Sequence, residues 1–511
     1  MSRLFSTGEP IGLRDALPQA TWSGAGEVRV TGCTCDSRLC RPGDVFVAIR
    51  GTHVDGLDYI TEAIAGGARA IVAEHTVQAT VPVGIVPDAR EALAQLCQTM
   101  AGRPSSKLRV IGVTGTNGKT TTTQLIASVL EAAGCRTGLL GTLDYSDGID
   151  SAAARLTTPP APVIADWMRR MVDNRCTHAV LEVSSHAIAQ RRIAGIELAA
   201  ACLTNLRRDH LDFHPTLRDY HETKSRIFHA LAPAGIAVLN ADDPVSMEYA
   251  PLVPGGVLTI GLDRESLVGL QRGANVTAQL LDRLKSEQTF LLTAGEMTAV
   301  VRTAMIGDHH IHNCLIAAAV GLAEGIDLPT IARGLENVTR VPGRLERIEC
   351  GQPFGVFVDY AHTPDALATA LDTVAEVTAG RLICVFGAGG NRDEAKRPLM
   401  GRAVEERAHL AIVTTDNPRH EDPRAIAAEV IGGFARPADA RYMPDRAEAI
   451  QYALSLAGPD DCVLVAGRGH EPHQIVGDEQ IPLDDREVAR RYLYNLEPAS
   501  PFGSLASVSN S

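Results

Sequence analysis

The chain is 511 residues long, 45% hydrophobic and only 4% aromatic, with a formal net charge of −13. At about 150 residues per domain this length predicts about three domains with aliphatic cores, and the acidity argues against nucleic acid as a partner. The N-terminus lacks an apolar h-region and no run of about eighteen apolar residues occurs, which predicts a cytoplasmic protein that does not enter the membrane.

The eleven cysteines, an odd number, are scattered from Cys33 to Cys462. Cys202, Cys384 and Cys462 lie inside apolar runs, where cysteine acts as a small hydrophobe. Cys33, Cys35 and Cys40 lack a CxxC spacing and have no histidine before His53, so no metal site is expected there.

In chain order, residues 1–107 read as a first unit. Val45 to Ile49 is a buried strand, a helix-like segment ends at Gly66-Gly67, and Ala70-Ile71-Val72 is a second strand. AGRPSSK (101–107) carries the Gly, Pro and Ser of a linker. A second unit spans 108–340. Its first strand runs into RVIGVTGTNGKTTTT (109–123), followed by apolar runs at Ala179-Val180-Leu181, Ala199 to Leu203 and Ile236 to Leu239. Helical patterns separate these runs, which predicts a mainly parallel sheet covered by helices. A β-rich excursion (Val276 to Thr303) and a helix-like Asn313 to Gly325 complete it. The third unit, 341–495, has strands at Val356 to Val358, Leu382 to Phe386, Leu410 to Thr414 and Val463 to Val465. Each is followed by a Gly- or Pro-containing polar turn and then a helix. The last residues, 496–511, are Ser/Ala/Gly-rich and read as a disordered tail.

The chemistry starts at the Gly-rich turn. A strand, a turn made by Gly115 and Gly118, and a Lys119-Thr120 pair opening a helix together gather backbone N–H groups, a helix N-terminus and an ammonium around a polyphosphate. The Thr120 hydroxyl is left to bind Mg²⁺. Val113 occupies the position of the first glycine of the strict motif, so this is a variant P-loop, and ATP is the expected ligand. Glu182 directly follows the strand at 179–181, where a carboxylate can hold Mg²⁺ opposite Thr120 or simply cap a helix or pair with a cation. Asp209 and His210 follow the strand ending at Leu203. Lys224 sits on a helix, where lysine is ordinarily solvated.

In the third unit four turns gather at the carboxyl edge of the strands, where open α/β sheets bind ligands. They are VDYAHTPD (358–365), FGAGGNRD (386–393), TTDNPRHEDP (414–423) and AGRGHE (466–471). Arg392, Arg419, Asn417, Asp416 and Glu471 suit a zwitterionic amino acid, with arginine forks for carboxylates and Glu471 for an ammonium.

GTNGKTT, LTTP, EVSSHAIAQRR, DHLDFH, PGRLERI, VDYAHTPDAL, KRPLM, DNPR and GRGHE together resemble the Mur ligases, the ATP-dependent amide-bond-forming synthetases of peptidoglycan precursor assembly. The resemblance extends from CDSR at Cys35 to Arg38 through GRGHE. It implies three α/β domains: an N-terminal UDP-binding domain, a central P-loop ATPase with a mainly parallel sheet, and a C-terminal Rossmann-like domain. It also implies that Cys35, Ser37, Thr52, His53 and Val54 face the UDP moiety of a UDP-muramoyl-dipeptide. Thr157, Thr158, Ser184, Gln190 and Arg192 would hold its muramoyl-dipeptide part. Gly115, Thr116, Asn117, Gly118, Lys119, Thr120 and Thr121 would wrap the ATP phosphates, with Asn313, Arg344 and Asp359 on adenine and ribose. Thr120, Glu182, His210 and Lys224 match metal-binding positions, and Lys224 resembles the family's carbamylated lysine.

DNPR resembles the diaminopimelate-adding type within the family. By that resemblance Arg392, Asp416, Asn417, Pro418, Arg419, Gly467 and Glu471 would bind meso-diaminopimelate, whose extra carboxylate meets Arg419. A monomer using only small-molecule substrates is expected. Lysine or another diamine as the added residue, and a nucleotide-binding paralogue without ligation, remain as alternatives. Four positions depart from the family pattern: Arg207 for Ser, His310 for Asn, Asn391 for Asp and Arg468 for Lys.

Overall fold

A computed structural model describes residues 9–23, 26–51, 54–263 and 274–495. Thr52, His53 and the tail at 496–511 lie outside the described residues.

Three sheets organise the chain. The first has strands β1 (Thr21–Trp22), β2 (Gly32–Thr34), β3 (Asp44–Val47), β4 (Ala70–Ala73) and β5 (Val83–Ile85), in the order β1-β5-β4-β3-β2. Only β1 is antiparallel to its neighbour. The period-2 geometry of a strand explains its two-sided core. Val45 and Val47 pack under the helix Ala89–Met100, while Phe46 and Ala48 pack on the other face with Ile60 and Ala63.

The central sheet has eleven strands: β6 (Arg109–Thr114), β7 (Thr137–Leu140), β8 (Asp144–Ser146), β9 (Ser151–Ala153), β10 (His178–Glu182), β11 (Leu198–Leu203), β12 (Leu231–Asn240), β13 (Gly256–Leu262), β14 (Val276–Arg283), β15 (Gln288–Ala294) and β16 (Met297–Thr303). Their order is β9-β8-β7-β10-β6-β11-β12-β13-β14-β15-β16. The run from β7 to β14 is parallel throughout, and both edges are antiparallel. The β-rich excursion therefore extends the main sheet rather than forming its own. Ile111 and Val113 face Ile126, Leu130 and Leu315 of two covering helices, whereas Val110 faces Met168 and Met171 on the opposite side. Burial on both faces is why these strands read as unbroken apolar runs.

The third sheet holds β17 (Glu346–Arg347), β18 (Gly355–Asp359), β19 (Leu382–Phe386), β20 (Leu410–Val413), β21 (Ala440–Tyr442) and β22 (Cys462–Ala466), in the order β17-β18-β22-β19-β20-β21. It is parallel except for β17. A hairpin, β23 (His473–Val476) and β24 (Glu479–Pro482), stands apart from it. All eleven cysteines are free, and Cys202, Cys384 and Cys462 are fully buried in strands as small apolar side chains. Among the described residues no helix is long and apolar enough to cross a membrane.

Two local differences from the sequence reading have clear causes. The helix expected from Asn313 starts at Asp308, because Gly307 (φ 102°) turns the chain and the polar-looking His310 and Asn313 are buried within it. The segment Ala101 to Lys107 contains a short turn, Pro104–Ser106, with Ala101 and Pro104 buried, so it is packed rather than free.

The end of the 341–345 segment is locked against the loop after β22. Gly343 has φ +64°, and a Cβ there would lie 2.1 Å from the backbone nitrogen of His470. Gly343→Ala is expected to cost at least about 1–3 kcal/mol in backbone strain alone, visible as a melting temperature lowered by several degrees. An unchanged melting curve would mean that this contact does not hold the two segments together.

Candidate active site

The carboxyl ends of β6, β10 and β11 converge because β6 lies between the other two and all three run parallel. After β6 the chain turns through Gly115 (φ 143°) and Gly118 (φ 87°) into the helix Lys119–Ala132. A side chain at Gly115 would meet the Thr204 hydroxyl at 1.9 Å, and one at Gly118 would meet Asn313 Oδ1 at 2.5 Å. The turn is thus glycine for space as well as for φ. The first turn of that helix, Gly118 to Thr121, lines a cavity of about 360 Å³, and a helix N-terminus at a cavity attracts phosphate.

Two lysines meet at this turn. Lys119 Nζ donates to the carbonyls of Gly115 (2.9 Å) and Thr116 (2.8 Å), and Lys224 Nζ donates to the same Gly115 carbonyl at 2.8 Å. Lys224 is 1% exposed and lies over the Tyr220 ring at 4.8 Å. Burial, then the Lys119 charge, push the Lys224 amine well below its ordinary value, while burial also lowers Lys119. The solvated lysine that the helix pattern predicts at 224 is instead one of the most buried side chains in the molecule. Tyr220, His221 and Thr223 are buried beside it on the helix Leu217–Ser225, which lies face-down.

Glu182, the last residue of β10, is 1% exposed. Its carboxylate accepts from the Thr120 hydroxyl (3.2 Å), the Thr142 amide (2.9 Å) and the Thr142 hydroxyl (2.9 Å). Burial nonetheless pushes its carboxyl up. Thr157 joins through Thr142 at 3.1 Å, and Thr158 donates to the Glu182 carbonyl at 2.6 Å and accepts from the Ser184 amide at 3.0 Å. Arg192 closes the group, donating to the Thr158 carbonyl and to Gln190 Oε1. His210 adopts φ 54°, with Nε2 3.4 Å from Asp209, and burial pulls its imidazole below its ordinary value.

The third sheet completes the cavity. Arg344 Nη2 donates to the Thr120 hydroxyl at 3.0 Å, with its guanidinium stacked 4.4 Å above Tyr360. Asp359 accepts from the amides of Leu345 (2.5 Å) and Ala361 (2.7 Å). Asn313 accepts from Thr122 at 3.2 Å. His310, 2% exposed in the same wall, has neither ring nitrogen hydrogen-bonded. Arg207 reaches Asp243 at 2.7 Å and so ties down the loop after β11.

A second cluster forms where the turns after β19, β20 and β22 meet. Asn417 Nδ2 donates to Glu471 at 2.8 Å, and its Oδ1 accepts from Ile475 of the hairpin at 2.9 Å. Arg419 (φ 53°) donates through Nη1 to the Gly390 carbonyl at 2.8 Å. The FGAGG glycines exist for this approach, since a Cβ at Gly390 would sit 1.9 Å from the Pro418 carbonyl and one at Gly389 3.1 Å from Arg419 Nη1. Among the described residues no carboxylate pairs with Arg419. Burial and then the neighbouring Arg392 lower its affinity for its proton. Arg392 is half-exposed, 4.0 Å from Asp212. Asn391 sits at φ 52° and accepts from the His420 amide at 3.1 Å, a left-handed position that suits asparagine.

Of the residues expected to bind the UDP moiety, Cys35 is partly buried, Ser37 donates to Glu62 at 2.9 Å and Val54 is exposed. None of the three lines the cavity, while Thr52 and His53 fall outside the described residues. Thr142 and Tyr360 are participants that the sequence reading missed. Thr142 follows β7, a strand too short to stand out. Tyr360 lies inside the VDYAHTPD turn, beside Asp359, and no pattern in the sequence sets it apart.

As a donor set, Thr120 and Glu182 offer hard oxygens suited to Mg²⁺. His210 adds an imidazole nitrogen, but Lys224 as a free amine adds no anionic oxygen.

Comparison with known proteins agrees with this geometry. Residues 29–100 match the model of the Mur ligase family catalytic domain, 113–321 the Mur ligase middle domain, and 343–469 the Mur ligase glutamate ligase domain. The chain is 42% identical over 463 residues to the UDP-N-acetylmuramoyl-L-alanyl-D-glutamate–2,6-diaminopimelate ligase of Geobacillus thermodenitrificans, covering 89% of this chain and 93% of that one. It is also 42% identical over 475 residues to the protein of the same name from Gloeobacter violaceus, covering 91% and 94%. A solved structure of a ligase of that name matches with a TM-score of 0.67 at 29% identity, over 95% of this chain and 99% of that one. The ADP complex of MurF ligase from Thermotoga maritima shares the fold, with a TM-score of 0.59 at 19% identity, over 90% of this chain and 95% of that one. The chain belongs to the Mur ligase family and is an ATP-dependent ligase.

Proposed function

We propose that this ligase joins meso-diaminopimelate to UDP-N-acetylmuramoyl-L-alanyl-D-glutamate, with units 1–107, 108–340 and 341–495 binding the UDP-sugar, ATP and the amino acid respectively. The observation that carries the choice of amine is Arg419, a half-buried guanidinium without a carboxylate partner, beside an Asn417–Glu471 pair at 2.8 Å. A plain diamine would leave that guanidinium unmatched, whereas a second carboxylate on the substrate would pair with it. Relatives at 42% identity that bear the diaminopimelate name support the same reading.

In the first step an oxygen of the dipeptide's terminal carboxylate attacks the γ-phosphorus of ATP, and ADP leaves. In the second, the amine nitrogen of diaminopimelate attacks the acyl carbon and inorganic phosphate leaves with the C–O electron pair. The ammonium gives up two protons in all, one to become a nucleophile and one as the tetrahedral intermediate collapses, and keeps the third as the amide N–H. Gly115 to Thr121 and Lys119 hold the phosphates, and Thr157, Thr158, Ser184, Gln190 and Arg192 hold the dipeptide end beside them. Asn313, Arg344 and Asp359 take adenine and ribose. Thr120 and Glu182 would hold Mg²⁺, which neutralises charge on the transferred phosphoryl group. His210 and a carbamylated Lys224 would hold a second ion, since carbamylation converts an amine donor into an anionic oxygen donor.

The test is an amine panel with ATP and the UDP-muramoyl-dipeptide, scoring product by mass. meso-Diaminopimelate should be used at least about tenfold more efficiently than lysine. Equal use of lysine would overturn the choice of amine, and ATP binding without phosphate release would mark a non-catalytic paralogue.

A further inference from the structure

Below Glu471 lies a buried charge cluster that the two steps above do not use. Arg446, at the start of the helix Arg446–Leu456, grips both oxygens of Asp485 at 2.8 and 2.7 Å and donates to the Ala466 carbonyl at 2.9 Å. Arg468, whose side chain is fully buried, makes one hydrogen bond, from Nη2 to the Leu483 carbonyl at 2.9 Å. Its Nε and Nη1 are buried with no hydrogen-bond partner. They face two carboxylates, Glu471 at 3.8 Å and Asp485 at 4.0 Å. Asp416 Oδ2 is likewise buried without a partner, 2.6 Å from where a Cβ on Gly467 would stand.

Two guanidinium groups thus confront the three carboxylates of Asp416, Glu471 and Asp485, before Arg419 is counted. A buried cation with open N–H groups is costly, and an apolar side chain of the same volume would carry no such cost. Arg446, with Nε and Nη2 spent on Asp485 and Ala466, leaves only Nη1 without a partner, whereas Arg468 leaves both Nε and Nη1 open. Arg468 reaches toward the one carboxylate of the cluster that opens onto the amino-acid site. Its guanidinium lies within reach of Glu471 and Asp485 at once.

We propose that Arg468 is a positioning residue for the amine substrate, holding Glu471 ionised and aimed at the incoming ammonium while Asp485 and Arg446 hold Arg468. This rests on the functional reading above, in which Glu471 receives the distal amine of diaminopimelate. The groups facing Glu471 are Asp416, Asn417, Arg419, Tyr360, Arg446 and Arg468. Burial and the Asp416 charge push its carboxyl up, whereas Asn417, Arg468 and Arg419 pull it down. Without Arg468 the carboxylate needs a higher pH to ionise, so the acid limb of the amine's kcat/KM moves to higher pH.

Steady-state kinetics on each of the three substrates, over a pH series, test this with Arg468→Met, Arg468→Gln and Arg468→Lys. The two neutral variants should raise the KM for diaminopimelate about tenfold or more, displace its acid limb upward and leave the KM for ATP and for the UDP-dipeptide within about twofold. Arg468→Lys should restore most of the amine KM. Should Arg468→Met fail to fold, Arg468→Gln decides. Neutral variants with the wild-type amine KM and acid limb, or with all three KM values raised alike, would overturn the assignment. A wild-type enzyme that makes no product from diaminopimelate fails the functional reading instead, so the two failures are distinguishable.

Discussion

Lys224→Ala should lower the ligation rate by about 10²–10³-fold, the size of effect seen when one preorganised charge is removed from a reacting centre, with little change in melting temperature. The expectation follows from how the amine is held. It is 1% exposed, shares the Gly115 carbonyl with Lys119, and has the Tyr220 ring as its other neighbour. Burial and the Lys119 charge both disfavour the ammonium, so the amine is deprotonated at a pH far below that of a free lysine. A neutral, nucleophilic amine is what attack on CO₂ requires, and the product carries the anionic oxygens that the free lysine lacks. Acidification reprotonates the amine, so carbamate and activity should fall together as pH drops. Mass measurement of the intact protein in bicarbonate, and partial rescue of Lys224→Ala by short-chain carboxylic acids, are the checks. A variant with wild-type rate, or one that acids never rescue while bicarbonate leaves the wild type unchanged, would remove Lys224 from the mechanism.

How much of this site was legible in the sequence follows from how local each part is. The phosphate turn is a contiguous stretch whose glycines are fixed by contacts within a few ångströms, so GTNGKT announces itself. Glu182 and the DNPR turn stand at strand ends, and parallel strands bring such ends to one edge whatever lies between them. Lys224 was opaque because its helix is polar overall, and burial of one face by Tyr220 and His221 is decided by packing against the turn after β6. The pairing of Arg446 with Asp485, 39 residues apart on two helices, leaves no periodic trace. His310 shows the opposite failure. A histidine stands where the family pattern has asparagine, and the fold leaves both of its ring nitrogens without a hydrogen-bond partner. Polar residues can thus be recognised as candidates from pattern, but whether they are satisfied depends on neighbours distant in the chain.

Arg419→Ala should reduce kcat/KM for meso-diaminopimelate by about 10²-fold or more while raising the low activity with lysine. A charge-assisted hydrogen bond contributes roughly 1.5–3 kcal/mol, about 10- to 150-fold, and a guanidinium can make two such bonds to one carboxylate. The geometry allows this because Nη1 alone is occupied, on the Gly390 carbonyl at 2.8 Å, and the backbone is pinned to the hairpin through Ile475 (3.1 Å) and Gly477 (2.7 Å). The side chain is therefore held in place before the substrate arrives, and little ordering remains to oppose binding. Arg392 beside it adds charge but is half-exposed and near Asp212, so Arg392→Ala should cost about tenfold at most. Specificity also comes from the empty state. With lysine bound, the half-buried Arg419 would lose water without gaining a carboxylate, so the wrong amine is penalised as well as the right one favoured. Removing the arginine abolishes both effects, and the preference for diaminopimelate over lysine should collapse toward unity. If instead Arg419→Ala lowers the rate with both amines equally and the preference persists, the selecting group lies elsewhere in the cluster around Asn417 and Glu471.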